Sequence, residues 1–371
     1  MSSLFHPLCG SNLSTLLRLL LTNGGVDRQH LPQASIALGF SLVRLPLSTI
    51  ERVLMERVYE SQTSIKSPIF IVGYWRSGTT HLHNILNKSE NFGYISPLMA
   101  GLPWDILGLV RMFQPLMELA LPSDRYIDNV AVTPDSPQED SIALASMIPV
   151  SYYHGLYFPQ RFKYHFHRGV FFKGCSTQEI EQWKRWHSHL LKKVSIRQGG
   201  KQLLIKNPVY TAHIAKLRSI WPDAKFIHIY RNPYVVFQST RHFFTQLLPE
   251  LALQSYENLA TAEIEQAILE SYPPMINSLL LDSRDLPSEN FVEICFEDLE
   301  QDPLPQIQKI YDQLQLSGLE QAIPPLENYL TSLQGYQKNN YPLEPKDINL
   351  VESHWMQFIQ RWKYRSPQSI N

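Results

Sequence analysis

The sequence predicts an α/β protein with a mostly parallel sheet and helices on both faces. Short apolar runs rich in branched residues alternate with helical patterns from residue 68 onward, and such repeated strand–helix units are typical of parallel sheets. The first run, at 68–72, leads into a loop bracketed by two glycines. Residues 1–65 precede this alternation and show helical patterns, which predict an N-terminal helical extension.

Composition excludes several classes of protein. The chain has 371 residues, a formal net charge of −1 and 44% hydrophobic residues, which indicates a globular protein with a full core and gives no argument for nucleic-acid binding. Three widely spaced cysteines form no disulfide or metal framework, so we expect no metal and a reducing, cytoplasmic location. We expect no signal peptide, because the N-terminus lacks a basic leader. No uninterrupted apolar stretch reaches the ~20 residues of a membrane span.

The N-terminal extension is predicted to contain helices at 11–22 and 34–61, the second being one helix or two that break at Pro46. Leu47, Ile50, Leu54 and Val58 recur at helical spacing,. We interpret the region as a helical cap on the catalytic domain. The alternative is a helix that lies on a membrane.

Residues 68–80, PIFIVGYWRSGTT, predict a strand, a tight loop between Gly73 and Gly78, and a helix. Backbone amides in such a loop converge on one point, to which the helix also directs its positive end. The spacing G-x-x-x-x-G-T-T lacks the lysine of nucleotide triphosphatases, and Arg76 supplies a positive charge instead. The loop therefore suits an anion but not ATP or GTP; the alternative is an ordinary strand–helix turn.

The region 97–200 is predicted to be a helical and aromatic insertion. Residues 97–122 are apolar and predict helices that roof a pocket or simply fill the core. A helix start at 133–147 has Ser136 as cap, with Glu139 and Asp140 where the helix dipole favours acids, and capping alone could explain both carboxylates. Residues 150–175 form an aromatic and histidine cluster, which we interpret as an aromatic wall rather than a metal site.

The α/β alternation resumes with strands at 203–206, 225–230 and 291–296. Ligands of such sheets bind beyond the carboxyl ends of the strands, where we expect the loop, Lys206, Arg231 and Glu297. Arg231 ends one strand and Ser239 follows on the next helix, so the two side chains could clasp a second phosphate. A nucleotide with phosphates at both ends of its ribose fits these two anion sites.

At this point the chain resembles the sulfotransferase family. Residues 68–80 resemble the family's 5′-phosphosulfate loop, and 226–239, FIHIYRNPYVVFQS, resemble its 3′-phosphate motif; 203–208 and 293–299 resemble two further segments. The resemblance covers roughly 66–340 and implies a P-loop nucleotide-hydrolase-like fold, with a sulfotransferase domain at 66–371 and the 97–200 region on the acceptor side. It also implies the donor 3′-phosphoadenosine 5′-phosphosulfate (PAPS) and the product PAP.

The resemblance implies roles for individual residues. The 5′-phosphate would be held by Arg76, Ser77, Gly78, Thr79 and Thr80, and the 3′-phosphate by Arg231, Ser239 and, as a weak match, Lys338. Arg76 and Lys206 would stabilise charge on the bridging oxygen. The histidine that cytosolic relatives use as base is replaced by Pro208. Our candidate base is Glu139, followed by Asp140, His154, His81 and His83.

The predicted reaction is transfer of a sulfuryl group from PAPS to a hydroxyl or amine by in-line displacement, which requires no metal in principle. The acceptor would be a small molecule, a lipid or a carbohydrate. Two alternatives stay open on the residues: a kinase with a degenerate phosphate loop, which would need magnesium and ATP, and a non-catalytic nucleotide-binding scaffold.

Overall fold

The computed structural model describes residues 6–59, 65–118, 133–257, 259, 261–333 and 343–367. The chain divides into two compact units. Unit 1 comprises Met1–Ser67, Gly93–Ile205 and Gln246–Leu259, and unit 2 comprises Pro68–Phe92, Lys206–Thr245 and Ala260–Asn371. The domain boundary near residue 65 and the insertion at 97–200 stay predictions.

The five strands are β1 (Ile69–Val72), β2 (Phe92–Gly93), β3 (Gln202–Lys206), β4 (Lys225–Tyr230) and β5 (Phe291–Cys295), in the sheet order β2-β3-β1-β4-β5. β4 pairs in parallel with both β1 and β5. Every residue of β1 is buried, as expected of a strand covered on both faces. The predicted α/β class is confirmed.

The first ten helices are α1 (Leu13–Thr22), α2 (Leu31–Leu54), α3 (Thr79–Asn87), α4 (Pro97–Gly101), α5 (Leu109–Glu118), α6 (Asp140–Met147), α7 (Tyr153–Tyr157), α8 (Phe162–Phe171), α9 (Thr177–Arg197) and α10 (Ile214–Ile220). The rest are α11 (Pro233–Leu251), α12 (Thr261–Asp282), α13 (Phe296–Gln301), α14 (Pro303–Gln313), α15 (Leu319–Ser332) and α16 (Pro345–Arg361).

The helix predicted at 34–61 is one helix. α2 runs through Pro46 without a break and continues into a π-helical turn at Met55–Tyr59. Pro46 lies on the exposed side of α2, so the hydrogen bond that its ring removes is lost next to solvent rather than in the core.

A helix does start within 133–147, with Asp140 in its first turn as predicted, but Ser136 as its cap is wrong. α6 begins at Asp140 with Glu139 at the N-cap position, and the Glu139 side chain makes no capping hydrogen bond. The backbone N–H of Gln138 donates to Ile95 O at 2.8 Å, which holds the preceding residues outside the helix. Ser136 instead accepts a hydrogen bond from Thr133 N at 2.9 Å.

Within the described residues, one helix, Arg28–Val58, is long and apolar enough by length and composition to cross a membrane. A core helix or an N-terminal signal sequence meets this criterion too, so the finding by itself is weak.

Candidate active site

The loop between β1 and α3 has a backbone that only glycine permits at two positions. Gly73 has φ 155° and Gly78 has φ 97°. A Cβ on Gly73 would lie 2.3 Å from Ile229 O, and a Cβ on Gly78 would lie 2.1 Å from the Phe296 ring. Because each site combines a left-handed backbone with a clash, both glycines are required for this loop.

Arg76 also adopts a left-handed conformation, with φ 64°, which costs free energy for a side chain with a Cβ. Two hydrogen bonds within unit 2 hold the loop around it. Trp75 O accepts from Thr240 Oγ1 at 3.2 Å, and Gly73 N donates to Thr211 Oγ1 at 2.9 Å. The surrounding side chains therefore fix the strained loop.

The loop leads directly into the N-terminus of α3. Gly78 is the N-cap and offers no side-chain cap, while Thr79 and Thr80 occupy the first turn. First-turn amides have no partner within a helix, and the helix dipole is positive at this end. The loop thus presents amides and hydroxyls at a point that favours an anion.

Three side chains predicted to bind the nucleotide converge in unit 2. Arg76 Nε donates to Ser239 Oγ at 3.0 Å, and Arg231 Nη1 lies 3.4 Å from Arg76 O. The Arg231 guanidinium also lies 4.1 Å above the centre of the Phe296 ring, a favourable cation–π distance. The structure therefore brings the strand-end arginine and the helix serine to the phosphate loop.

The two guanidinium groups are close enough to influence each other. Burial lowers the pKa of Arg231, the carboxylates of Glu297 and Glu300 oppose that shift, and the charge of Arg76 adds to it. Two like charges in a partly buried site are unfavourable without a counterion. A bound dianion would relieve that repulsion.

Glu297 organises the turn after β4. Its Oε1 accepts from Asn232 N at 3.0 Å and its Oε2 accepts from Tyr364 Oη at 2.8 Å. The residue therefore lies at the carboxyl edge of the sheet, as predicted, where it acts as an acceptor that positions the residue next to Arg231.

Ser239 is buried on α11, at 4% exposure. The same helix is fixed to α16: Gln238 Nε2 donates to Asp347 Oδ2 at 2.5 Å and Arg241 Nη1 donates to Asp347 Oδ1 at 3.0 Å. These bonds hold the serine hydroxyl in place beside Arg76.

Lys206 is the last residue of β3 and is 1% exposed. The next residue, Asn207, donates its N–H to Ile71 O at 3.2 Å, so Lys206 lies at the carboxyl edge near the end of β1. Burying an ammonium group is costly, which argues against a surface lysine at a strand terminus.

The candidate base Glu139 belongs to unit 1, whereas the residues above belong to unit 2. Glu139 is partly exposed and its Oε2 accepts from Ser141 Oγ at 3.0 Å. Asp140 is fully buried, with Oδ2 3.5 Å from His187 Nε2. Its position indicates a structural carboxylate, which leaves Glu139 as the accessible member of the pair.

Two of the three alternative histidines, His154 and His83, are buried. His154 is fully enclosed and its Nε2 donates to Ala145 O at 2.8 Å. Burial lowers the pKa of His154 to about 4. His83 is also fully buried, while His81 is partly exposed, with its ring 6.1 Å from that of Phe296.

Sequence reasoning missed four residues that shape the loop. They are Thr211, Thr240, Phe243, whose ring centre is 5.7 Å from the Arg76 guanidinium, and Phe296. Two of the four had a signal in the sequence, since Thr240 follows Ser239 directly and Phe296 lies within the 293–299 segment. Lys338 lies outside the described residues. Within the described ranges, no three His, Cys, Asp or Glu side chains gather in a way that could hold a metal ion.

The chain belongs to the sulfotransferase family, whose family model matches residues 68–321. It is therefore a sulfotransferase, an enzyme that transfers a sulfuryl group. The resemblance drawn from the loop and the Arg231 motif is confirmed at the level of the family.

Curated relatives match over nearly the whole chain. Two mycobacterial proteins, from Mycobacterium bovis and Mycobacterium tuberculosis, are each named omega-hydroxy-beta-dihydromenaquinone-9 sulfotransferase Stf3. Each is 29% identical over 358 residues, which cover 96% of this chain and 90% of the relative.

Two solved structures share the fold. Sulfotransferase STF9 from Mycobacterium avium superposes with a TM-score of 0.67 at 13% identity, covering 95% of this chain and 96% of that one. Sulfotransferase STF1 from Mycobacterium tuberculosis gives a TM-score of 0.62 at 18% identity, covering 93% and 91%.

Proposed function

We propose that the sulfuryl donor is PAPS and that PAP is the product. The loop from Arg76 to Thr80 would hold the 5′-phosphate through its amides and hydroxyls. Arg231 and Ser239 would hold the 3′-phosphate. The observation that carries this proposal is the convergence of Arg76, Arg231 and Ser239 within hydrogen-bonding distance of one loop.

PAPS, when bound, supplies a sulfuryl group attached to a good leaving group, so the protein needs to contribute mainly positioned positive charge. Arg76 would act electrostatically rather than as an acid. Lys206, buried at the end of β3, would place an ammonium group near the same loop. Donors of this kind contribute about 3–4 kcal/mol each to transition-state stabilisation.

We propose Glu139 as the general base for the acceptor hydroxyl. Its side chain does not cap α6, so capping does not account for this carboxylate. The hydrogen bond that it accepts from Ser141 would orient the carboxylate. Glu139→Gln should lower turnover with little change in PAP affinity, whereas the exposed Asp135→Asn should change neither.

The acceptor that we propose is a terminal hydroxyl on a long apolar molecule. The curated relatives are named for a hydroxylated menaquinone, a lipid. Unit 1 buries many of the aromatic side chains of the 150–175 stretch, including Tyr152, Tyr157, Phe158, Phe162 and Phe166. Because these rings are 0–2% exposed, they build the core of unit 1, so the proposal of an apolar acceptor rests on the relatives. A cytoplasmic location remains part of the proposal and is supported by three free cysteines.

The test uses the full chain with radiolabelled PAPS and two acceptors, the omega-hydroxylated menaquinone and a short water-soluble alcohol, beside a reaction without acceptor. We expect PAPS-dependent sulfation of the menaquinone hydroxyl without added metal. Magnesium-dependent ATP turnover would instead indicate a kinase. PAP binding with no transfer to any acceptor would indicate a scaffold, and either result would overturn the proposal.

A further inference from the structure

Helix α2 is amphipathic, but it buries its polar side and exposes its apolar side. The buried side, which packs on the rest of unit 1, carries small and charged residues at helical spacing. They are Ala37, Ser41, Arg44, Ser48 and Glu51. The opposite side is aliphatic and exposed. A helix on a water-facing surface normally buries its apolar side, so this arrangement is costly in water alone.

Specific partners in unit 1 hold the charged side of α2 inward. Arg44 donates to the Asp105 carboxylate and, at 2.7 Å, to Cys9 O. Glu51 accepts from Gly108 N at 2.7 Å and pairs with Lys193 Nζ at 2.5 Å. If α2 rotated to bury its aliphatic side, Arg44 and Glu51 would lose these partners, which costs several kcal/mol per ion.

The outer face of α2 consists of its exposed apolar side chains, principally Phe40, Leu42, Val43, Leu47, Ile50 and Leu54. Val43 is 80% exposed and Ile50 57%. α1 extends this surface, because Leu17 and Leu45 line one groove of about 360 Å³ between the two helices. A continuous apolar surface of this kind marks an interaction site, unlike scattered single residues.

Positive charge flanks the outer face. Arg28 lies just before α2, and Arg52 and Arg57 lie near its end, all three exposed. Between Arg28 and Arg52 the only Asp, Glu, Lys or Arg residues are the buried Arg44 and Glu51. An apolar strip with arginines at both ends complements a bilayer with anionic headgroups.

We propose that the outer face of α2, with Leu17 and Leu21 of α1, binds the surface of an anionic lipid bilayer. α2 lies in the plane of the interface, its apolar side in the acyl region and its arginines among the phosphates. It does not cross the bilayer, because Arg44 and Glu51 tie its whole length to unit 1. This proposal stands apart from the identity of the donor and acceptor.

A second copy of the chain fits this surface less well. A two-fold dimer through the outer face would bring the arginines at the ends of one α2 towards those of the other. Among the described residues, Arg28 at one end and Arg52 and Arg57 at the other are exposed, while Asp27 and Glu56 beside them are only partly exposed. Either helix orientation therefore brings the exposed arginines of the two copies together, which disfavours the contact.

The test is flotation of the full chain with vesicles of phosphatidylcholine alone or with 30% phosphatidylglycerol, without donor or acceptor. We expect binding to the anionic vesicles that weakens with salt. The triple variant Leu42→Ser, Val43→Ser, Ile50→Ser should lose at least tenfold in vesicle affinity. Arg28→Gln with Arg57→Gln should weaken binding to anionic vesicles but not to neutral ones.

Leu281→Ser on α12 is the matched control, because Leu281 is 62% exposed but lies in unit 2, and it should bind like the wild type. Melting curves should be the same for all variants, since every changed side chain is exposed. Three results would overturn the proposal: no flotation of the wild type, undiminished flotation of the triple variant, or a vesicle-independent dimer that the triple variant dissociates.

Discussion

In unit 1 the buried cations meet carboxylates, whereas in unit 2 two guanidinium groups meet each other. Arg44 pairs with Asp105 and Lys193 with Glu51. The Arg231 guanidinium contacts the backbone carbonyl of Arg76 and the ring of Phe296. In unit 1 each of these cations bonds to its own carboxylate, whereas burial and the like charge of Arg76 lower the pKa of Arg231 against the opposing effect of Glu297 and Glu300. The difference separates ion pairs that hold the fold from a cluster of charges that we propose binds an anion.

The largest effect that we expect in unit 1 comes from acid. Burial lowers the pKa of both His6 and His154 from 6.5 to about 4. As the pH falls from about 6.5 to 4, these two histidines therefore bind protons in the unfolded chain but not in the folded chain. Each of these two histidines should lower the free energy of unfolding by about 1.4 kcal/mol per pH unit over that range. The drop should continue below pH 4, because burial lowers the pKa of His189 to about 3 and that of His165 to about 2.

Urea unfolding between pH 7.5 and 4 measures this slope. His154→Gln should reduce the pH dependence of the free energy of unfolding by about the contribution of one histidine. His354→Gln, at an exposed position, should leave this dependence unchanged. A free energy of unfolding that stays flat from pH 7 to 5 would contradict the burial of these neutral rings.

The next effect concerns the buried ion pairs of unit 1. Lys193→Met leaves Glu51 buried without its cation, and removal of one partner of a buried pair costs about 3–5 kcal/mol. Adding Glu51→Gln should restore much of that loss, because an amide oxygen still accepts from the backbone amides of Leu107 and Gly108. Denaturant unfolding of the two single variants and the double variant gives the coupling energy, and a coupling near zero would contradict a paired role.

A third effect concerns catalysis in unit 2. Lys206→Ala should lower kcat by about 10²–10³, the loss typical of one positioned electrostatic donor, with little change in the KM for PAPS. Lys201→Ala is the control, since Lys201 is exposed just before the same strand. An equal loss of kcat in both variants, or a change only in KM, would show that Lys206 does not stabilise the transition state.

Local patterns explain why the convergence of the loop with Arg231 and Ser239 could be predicted. The loop and the Arg231–Ser239 motif are continuous strand–loop–helix segments, and the parallel sheet brings the ends of β1 and β4 together. Ser136 was wrongly predicted as the cap of α6 because a distant carbonyl, Ile95 O, accepts from the Gln138 amide. Periodicity found α2 but could not show which side faces outward.

The central claim is that Arg231 recognises the 3′-phosphate of a nucleotide whose 5′-phosphate lies in the 73–80 loop. Calorimetric titration of PAP and of 5′-AMP, which lacks that phosphate, into the wild type, Arg231→Ala and the exposed control Arg284→Ala tests it most directly. The wild type and Arg284→Ala should bind PAP at least tenfold more tightly than 5′-AMP, the scale of one charge-assisted phosphate contact, and Arg231→Ala should bind both alike. Full discrimination by Arg231→Ala would contradict the account.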